Sequence, residues 1–505
     1  MANRGAGAVS RDRKQVVFVG GSVAGLIGAL ALARSGQRVT ILEKDPTPLP
    51  ETPDQAFDAW DRRGSPQVRH SHAFLGRMLK LIREREPALL ARLLSLGAEE
   101  ITFRAQARRY FEDPSFEPGD DDVVLLACRR VTLEWALRRH ALATGLVEFR
   151  DGAEVTGLVT SGERGARPRV TGVQLRTRSG AVETVAADLV VDASGRRTKL
   201  ADWLEAIGAP RPREEKQPCG IFYSSRFYRL FPGVPRPNQD GVIGGDLGYI
   251  KFGIFPGDSG TFSITLAAAP DDDPMRAVLR GPGFDAATHA IPMLIEWVKP
   301  EVSTPISEVN GMANLNDVRR HMVENSEPLA LGIVAIGDSL VHANPITGRG
   351  CTLAWITSYA LADAMSKHPD DLRALALALD AAVEREGAPW LRAQMAQDRD
   401  AVAVNEAMRR GEDPFRFEQA DGSVDPARFA RSVVRDGLMP ATRENLDVMR
   451  ALMRVAHMLD APEDLTGRPE ITAAALAAHA RRHERPPLVV GPSRSEMLEI
   501  LAQPA

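Results

Sequence analysis

The stretch from Val16 to Lys44 is the feature that most constrains the fold. A short apolar run leads into a glycine-rich turn, an Ala/Leu-rich run follows, and a second apolar run ends in Glu43. This order predicts a strand, a tight turn, a helix and a second strand, the unit that binds a dinucleotide pyrophosphate at its helix N-terminus. Gly20 permits the tight turn, Gly25 lets the helix pack closely on the sheet, and Glu43 is placed to accept hydrogen bonds from a ribose hydroxyl.

The turn departs from the G-x-G-x-x-G pattern at one position. Ser22 stands where the middle glycine is usual, so we expect its side chain to point away from the phosphates. We assign Val23 and Ala24, and Lys44 after the second strand, to the same nucleotide site. A glycine fingerprint alone is weak evidence, but here the strand, helix, second strand and acid accompany it.

Composition narrows the class of protein. A chain of 505 residues is too long for one core and predicts two or three domains. A formal net charge of −4 favours neither a nucleic-acid binder nor a cationic membrane-surface protein. The three cysteines are too widely spaced for a disulfide framework or a zinc site. No signal-peptide core and no membrane-spanning run is apparent, so we predict a cytoplasmic enzyme.

The rest of the chain alternates between sheet and helix patterns. The proline-rich segment 45–66 is interpreted as an exposed loop, and short strands recur over 147–191. A second sheet is predicted from β-type runs between 221 and 267, whereas the chain beyond Leu353 is mostly helical. Other glycine-rich segments lack the strand–turn–helix order, which predicts a single dinucleotide domain.

Three further motifs carry the chemistry. They are Asp188 to Arg196, which contains Asp-Ala-Ser-Gly-Arg; Gly337-Asp338-Ser339 followed by Asn344 to Gly350; and Arg130 at a helix start. With the N-terminal fingerprint, their order and spacing over about residues 16–365 resemble the FAD-dependent aromatic hydroxylase and epoxidase superfamily, the para-hydroxybenzoate hydroxylase fold. The closer resemblance is to bacterial flavin epoxidases of the polyether and squalene-epoxidase-like type, through Gln67 to His72 and Asp192 to Arg196.

The resemblance implies an α/β fold: a Rossmann-like FAD-binding domain, an inserted mixed or antiparallel β-sheet substrate domain, and a helical C-terminal region. The predicted boundaries are a flexible tail at 1–15, a discontinuous FAD-binding domain at 16–205 plus 326–385, a substrate-binding sheet domain at 206–325, and C-terminal helices at 386–505.

The expected cofactor contacts follow from the same motifs. Asp338 at a strand end can accept a hydrogen bond from a ribitol hydroxyl, and Gly348 and Gly350 allow backbone N–H groups to approach the flavin. The positive end of the next helix then points at the flavin. By resemblance, Arg130 contacts the pyrophosphate or ribitol, and the backbone of Val155 bonds the adenine. The same cofactor-binding set includes His70, Pro345 and Cys351.

The function implied is that of an FAD-dependent monooxygenase. Such an enzyme inserts one oxygen atom, by epoxidation or hydroxylation, into an apolar or aromatic small molecule through a flavin C4a-hydroperoxide. The flavin carries the chemistry, so no catalytic side chain is nominated. NAD(P)H is the expected electron donor, either directly or through a partner flavin reductase, and O2 is the co-substrate. No metal and no nucleic acid is expected, and the oligomeric state stays open.

Several alternatives remain open at this point. The turn serves NAD in other proteins, His70 and His72 are possible metal ligands, and Cys351 is a possible redox group. Arg196 and Arg197 are candidates for NAD(P)H phosphate contacts or simply solvated side chains. The C-terminal helices form a cap or a dimer interface. A reductase of prenyl or polyketide-like double bonds shares the fold; a flavin halogenase would need a Trp-x-Trp-x-Ile-Pro segment, and Trp297 stands alone.

Overall fold

The structure is a computed structural model that describes residues 13–161, 167–237, 243–419, 421–485 and 491–502. The predicted tail 1–15 lies outside the described residues except for its last three, and Gln15 already begins the first strand. None of the helices in these ranges combines the length and the hydrophobicity needed to cross a bilayer.

The first part of the chain alternates strands and helices. In chain order its elements are β1 (Gln15–Val19), α1 (Val23–Arg34), β2 (Arg38–Leu42), α2 (Pro53–Ala59), α3 (Gly76–Arg85), α4 (Pro87–Ser95), β3 (Glu99–Thr102), α5 (Phe103–Ala107), β4 (Val124–Ala127), α6 (Arg130–Ala143) and β5 (Val147–Arg150).

The segment 45–66 is not the exposed loop that its prolines suggested. It contains α2, which begins at a capping box between Thr52 and Gln55. Phe57 and Trp60 are buried with α2 in the main core, so the segment packs against the domain instead of extending into solvent.

A three-stranded antiparallel sheet and a return strand follow. These elements are β6 (Glu154–Ser161), β7 (Arg169–Arg176), β8 (Val182–Ala186), β9 (Leu189–Asp192) and α7 (Leu200–Ala206). Among the described residues the central sheet has the order β20–β9–β1–β2–β5, where β20 is Ile333–Ala335, and every neighbouring pair is parallel. β1 and α1 are almost entirely buried, as expected for a parallel sheet covered on both faces. The predicted Rossmann-like domain is therefore confirmed.

The middle of the chain forms the second sheet. This stretch begins with β10 (Arg213–Pro218), which pairs with Asn316–His321 in a separate three-stranded sheet. The second sheet and its helices follow as β11 (Phe222–Leu230), β12 (Ile243–Asp246), β13 (Ile250–Pro256), β14 (Thr261–Ala268), α8 (Gly281–Ala290), α9 (Pro292–Val298), β15 (Ser303–Pro305) and β16 (Asn310–Met312). The pairs β12–β13–β14–β11 are antiparallel, and β15 and β16 add to β11. One face packs aromatic residues against α8 and α9, with Phe262 and Trp297 at its centre, so Trp297 is a core residue.

The chain then returns to the central sheet and ends in helices. These elements are β17 (Asn316–His321), β18 (Val323–Glu324), β19 (Glu327–Pro328), β20 (Ile333–Ala335), β21 (Val341–His342), α10 (Arg349–Lys367), α11 (Leu372–Glu386), α12 (Ala388–Arg409), α13 (Pro426–Val433), α14 (Met439–Glu444), α15 (Leu446–Ala456), α16 (Asp464–Gly467), α17 (Pro469–Ala480) and α18 (Arg494–Ala502).

The helical C-terminal region is confirmed, and its last helix reaches the second sheet. Met497 of α18 is fully buried in the aromatic core of that sheet. The second sheet is also joined to the first domain by a buried ion pair, in which Arg129 at the start of α6 bonds both carboxylate oxygens of Asp258 in the β13–β14 turn. The exact domain boundaries stay a prediction.

Candidate functional site

One cavity of about 300 Å³ joins the central sheet to the second sheet. Its walls come from the turn after β1, the end of β2, the segment after β9, the loop before α10 and the inner face of the second sheet. The carboxyl ends of parallel strands are where open α/β sheets bind their ligands.

The glycine turn has the geometry that a close approach requires. Gly20 has a φ of +104°, and a Cβ placed there would lie 2.6 Å from the carbonyl oxygen of Ala193. A Cβ on Gly25 would lie 1.9 Å from the carbonyl oxygen of Gly20. Both positions therefore require glycine, and the start of α1 lies close to the sheet for that reason.

Ser22 is held by side chains that come from elsewhere in the chain. Its hydroxyl donates to Glu134 Oε2 at 2.9 Å, and it accepts from Ser65 at 2.9 Å and from the guanidinium of Arg130 at 3.1 Å. It makes no side-chain cap to its own helix, so it does not occupy the first N–H groups of α1. Such uncapped N–H groups at the positive end of a helix suit an anion.

A buried ion network lies beside the turn. Arg62, whose side chain is 1% exposed, contacts Glu134 at 2.7 Å, Asp45 at 3.0 Å and Glu43 at 3.3 Å. Burial alone would raise the pKa of Glu134, but the charges of Arg62 and Arg130 lower it overall, so the carboxylate stays ionised. Sequence reasoning missed Arg62 because it assigned segment 45–66 to solvent.

Glu43, predicted to bind a ribose, is engaged by the protein. Its Oε2 accepts from the backbone N–H of Gly21 at 3.0 Å, and its Oε1 accepts from the backbone N–H of Asp45 at 3.0 Å. Oε2 also accepts from Arg62 at 3.3 Å, so the remaining acceptor capacity for a ligand hydroxyl is on Oε1.

The other end of the cavity is built by the loop before α10. The amide nitrogen of the Asn344 side chain donates to both oxygens of Asp398 at 2.9 and 3.0 Å, and its backbone N–H donates to Asp317 at 2.7 Å. Gly348 caps α10 with a φ of +69°, and a Cβ there would lie 3.0 Å from the carbonyl oxygen of Ala73. Side chains that are distant in sequence thus fix the loop that presents the start of α10.

A cluster of Cys219, Asp317 and Asp398 lies under this loop. Within the described ranges it is the group of side chains whose donor atoms lie close enough, within 4.8 Å, to share a metal ion. Burial and the contact with Asp398 raise the pKa of Asp317 to about 7. Burial and the Asp317 carboxylate also raise the pKa of Cys219, which keeps the thiol neutral. Burial beside a second carboxylate thus favours the protonated form of Asp317.

The residues at both ends fit FAD. Arg130 lines the cavity, and its Nε has no hydrogen-bond partner among the described residues. A Cβ built on Gly350 would meet no atom within 4 Å, so the first turn of α10 faces open space. A guanidinium N–H group without a partner and an open helix start match an anionic dinucleotide and an electron-rich ring edge.

Most of the predicted cofactor residues meet at this cavity. Those that line it are Gly20, Ser22, Val23, Ala24, Glu43, Lys44, Arg130, Val155, Asp338, Pro345, Gly348, Gly350 and Cys351. Gly25 and His70 lie behind the wall: Gly25 packs on the turn, and His70 packs edge-on against Tyr223 with centroids 4.8 Å apart.

The alternative roles of the cysteine and the histidines are not favoured. Arg130 Nη1 lies 3.0 Å from the sulfur of Cys351, but burial raises the pKa of that thiol, so it is not a ready nucleophile. Burial and the charge of Arg196 lower the pKa of His70 to about 4. Burial and the charge of Arg130 lower the pKa of His72 to about 3. His72 Nδ1 is engaged with the carbonyl oxygen of His70 at 3.0 Å, so the two rings do not converge on a metal.

The wall formed by the second sheet is mostly apolar. The apolar lining residues there are Ile221, Tyr223, Phe255, Ala267, Met312 and Leu315. The alternation of β11 and β14 is the sequence signal that separates this face from the core face.

The comparisons with known proteins agree with this geometry. Residues 13–220 match the family model of the FAD binding domain. Protein Rv3254 of Mycobacterium tuberculosis is 28% identical over 376 residues, which cover 69% of this chain and 72% of the relative.

Two solved structures show the same fold. The flavin-dependent brominase Bmp2 is 16% identical with a TM-score of 0.55, covering 93% of this chain and 100% of its own. PqsL of Pseudomonas aeruginosa, named "a probable FAD-dependent monooxygenase", is 16% identical with a TM-score of 0.55, covering 79% of this chain and 99% of its own. Residues 13–220 thus match an FAD-binding domain, and the chain shares the fold of these two flavoenzymes.

Proposed function

We propose that the protein is an FAD-dependent monooxygenase that inserts one oxygen atom into an apolar or aromatic small molecule. The observation that supports this most is the continuity of one cavity from the glycine turn to the apolar wall of the second sheet. A dinucleotide-binding end and an apolar end in one cavity bring a cofactor and an apolar substrate together.

The chain's own residues have separate tasks in this proposal. The turn at Gly20 and the start of α1 hold the pyrophosphate, and Glu43 accepts from the ribose. The loop from Asn344 to Gly350 presents N–H groups to the ring. Bound FAD, once reduced, supplies the reactivity toward O2. The apolar wall orients the substrate and excludes water, which limits unproductive loss of reducing equivalents.

The electron donor in this proposal is NAD(P)H, either directly or through a flavin reductase. Arg196 and Arg197 both line the cavity, and Arg197 is exposed. An exposed arginine beside the cavity favours transient binding of a phosphate-bearing nicotinamide cofactor. The choice between epoxidation and hydroxylation, and the resemblance to polyether-type epoxidases, also stay predictions.

Two other reaction types deserve a place in the test. A reductase acting on double bonds would need the same cavity and would not need oxygen. The only support for a halogenase is similarity of fold, as with Bmp2. The lysines among the described lining residues, Lys44 and Lys199, are exposed, and Trp297 belongs to the core of the second sheet.

The test uses purified holoenzyme with apolar polyenes and aromatic compounds as substrates. The FAD is reduced without oxygen by NADH, by NADPH, or by NADH with a flavin reductase, and 18O2 is then admitted. We expect one 18O atom in the product and no product before oxygen is added. Reduced product formed without oxygen, or halogenated product that requires added bromide or chloride, would contradict the proposal. So would an FAD-loaded protein that yields only hydrogen peroxide with every reductant and substrate.

A further inference from the structure

A chain of hydrogen bonds runs from the second sheet to the cavity. His70 Nδ1 lies 3.3 Å from the hydroxyl of Ser225, which lies 2.8 Å from the hydroxyl of Thr265, and Thr265 lies 2.7 Å from the hydroxyl of Ser71. Ser225 and Thr265 are direct cross-strand partners on β11 and β14. Ser71 and Thr265 line the cavity, whereas His70 and Ser225 are buried behind them.

The geometry fixes the direction of this chain. Thr265 is the donor to Ser71. A hydroxyl has one proton, so Ser225 must be the donor in its bond with Thr265. The proton of Ser225 is then used, and His70 must donate to Ser225 from Nδ1.

This direction leaves one proton without an acceptor. The hydroxyl of Ser71 accepts from Thr265, and no acceptor for its own proton occurs in the described part of the chain. Ser71 is a lining residue, so its O–H group is available to a ligand in the cavity. Hydrogen bonds in a directed chain polarise one another, which strengthens the last donor.

Ser71 lies between the loop before α10 and the second sheet. Ala73, two residues on, contacts Gly348 in the loop before α10, as the 3.0 Å distance from its carbonyl oxygen to a Cβ built there shows. Thr265 belongs to the second sheet. A ligand against the apolar wall therefore lies within reach of Ser71.

We propose that Ser71 is a specificity-determining residue whose hydroxyl donates to an oxygen acceptor on the substrate. This inference rests on the proposed function, because it takes the apolar end of the cavity as the substrate site. The substrate class is then an apolar molecule that carries a carbonyl or oxyanion, and hydrocarbons of the same shape are disfavoured.

Because of His70, the row of hydrogen bonds ends in a donor at Ser71 and does not act as a base. It is buried and neutral, since burial and the charge of Arg196 lower its pKa to about 4. A neutral imidazole with its proton on Nδ1 anchors the chain in one direction. Abstraction of a proton from a weakly acidic substrate would require the opposite direction, and it would leave the proton on Nδ1 of His70 as an imidazolium ion, which the lowered pKa disfavours.

The probes are 1-tetralone, which has a carbonyl oxygen, and tetralin, the matching hydrocarbon. Isothermal titration calorimetry on the oxidised holoenzyme measures both affinities without reductant or oxygen. We expect wild-type protein to bind tetralone about tenfold more tightly than tetralin, the value of one buried hydrogen bond. Ser71→Ala should remove this preference, Thr265→Val should weaken it because Ser71 loses only its polarising partner, and Thr265→Ser should retain it.

The matched control is Ser224→Ala. Ser224 is buried next to Ser225 on β11, but its side chain lies on the opposite face of the sheet from the hydrogen-bonded residues. Its hydroxyl has no partner among the described residues. Its substitution should leave the preference unchanged. Equal binding of the two probes by wild-type protein, no binding of tetralone, or an unchanged preference in Ser71→Ala would overturn the proposal.

A carbonyl oxygen of the flavin is the other acceptor to which the Ser71 hydroxyl can donate. If Ser71→Ala instead changes FAD affinity and the flavin absorption spectrum while the tetralone preference persists, the substrate proposal is wrong. The titrations measure binding alone and the 18O2 assay measures oxygen transfer alone. A negative result in either experiment therefore contradicts only the proposal that this experiment tests.

Discussion

The two ends of the cavity are stabilised by different kinds of interaction. At the nucleotide end, backbone geometry and full charges dominate, with Arg62 surrounded by Glu43, Asp45 and Glu134. At the other end the loop from Asn344 is held by hydrogen bonds to Asp398 and Asp317, and burial beside Asp398 raises the pKa of Asp317. Breaking the first end exposes uncompensated buried charge, whereas changing the second mainly shifts a proton.

The largest effect is expected from Arg62→Met. The substitution keeps much of the side-chain volume but leaves three acidic groups without their shared cation. We expect the free energy of unfolding to fall by about 3–5 kcal/mol, measured by urea denaturation.

The matched control for this prediction is Arg63→Met. Arg63 is 87% exposed and pairs with Asp61 at 2.6 Å on the surface. Its loss should change the free energy of unfolding by about 0–1 kcal/mol. Equal effects of the two substitutions would show that the buried network does not stabilise the nucleotide end.

A smaller effect on stability is expected from Gly25→Ala. The added Cβ would lie 1.9 Å from the carbonyl oxygen of Gly20, so the turn or α1 must move. We expect a loss of about 1–3 kcal/mol in the free energy of unfolding, together with less FAD in the purified protein.

Gly467→Ala is the control for the turn substitution. A Cβ at Gly467 in α16 meets no atom within 4 Å, so stability and FAD content should both stay at wild-type levels. Wild-type FAD content in Gly25→Ala would contradict the role assigned to this turn.

The smallest effect is expected from the proton on Asp317. The pKa of Asp317 is raised from 3.8 to about 7, so the folded protein holds a proton that the unfolded chain has lost over this range. Its stabilising contribution is complete below about pH 4 and disappears as the pH rises through about 7.

Asp317→Asn keeps this position neutral at every pH. Between pH 5 and pH 8 the wild-type protein should therefore lose about 1–2 kcal/mol of stability that the variant does not lose, measured by thermal unfolding. Asp113→Asn, at an exposed position, should follow the wild-type profile. If the stability of wild-type protein and of Asp317→Asn changes with pH in the same way, the pKa of Asp317 is not raised in the folded protein.

The sequence predicted the nucleotide end well because its signals are local. The turn at Gly20, the helix after it and Glu43 are encoded within one strand–helix–strand segment. The motif around Asp338 and Gly348 was equally accessible, because each part combines a strand end with a glycine loop.

The groups that hold these motifs in place were not accessible in the same way. Arg62 acts from a segment whose composition predicts a loop, and Asp398 reaches Asn344 from α12. The donor chain through Ser225 and Thr265 depends on strand register. Such contacts are set by tertiary packing, which local patterns do not encode.

FAD affinity in Gly350→Ala tests most directly whether the flavin lies at the start of α10. A Cβ at Gly350 meets no protein atom within 4 Å, so the apoprotein should unfold as the wild type does. If the flavin approaches the start of α10, the same Cβ meets the cofactor. We then expect FAD to bind at least about tenfold more weakly, a cost of about 1.4 kcal/mol. Wild-type affinity for FAD in this variant would contradict the placement of the flavin at the start of α10.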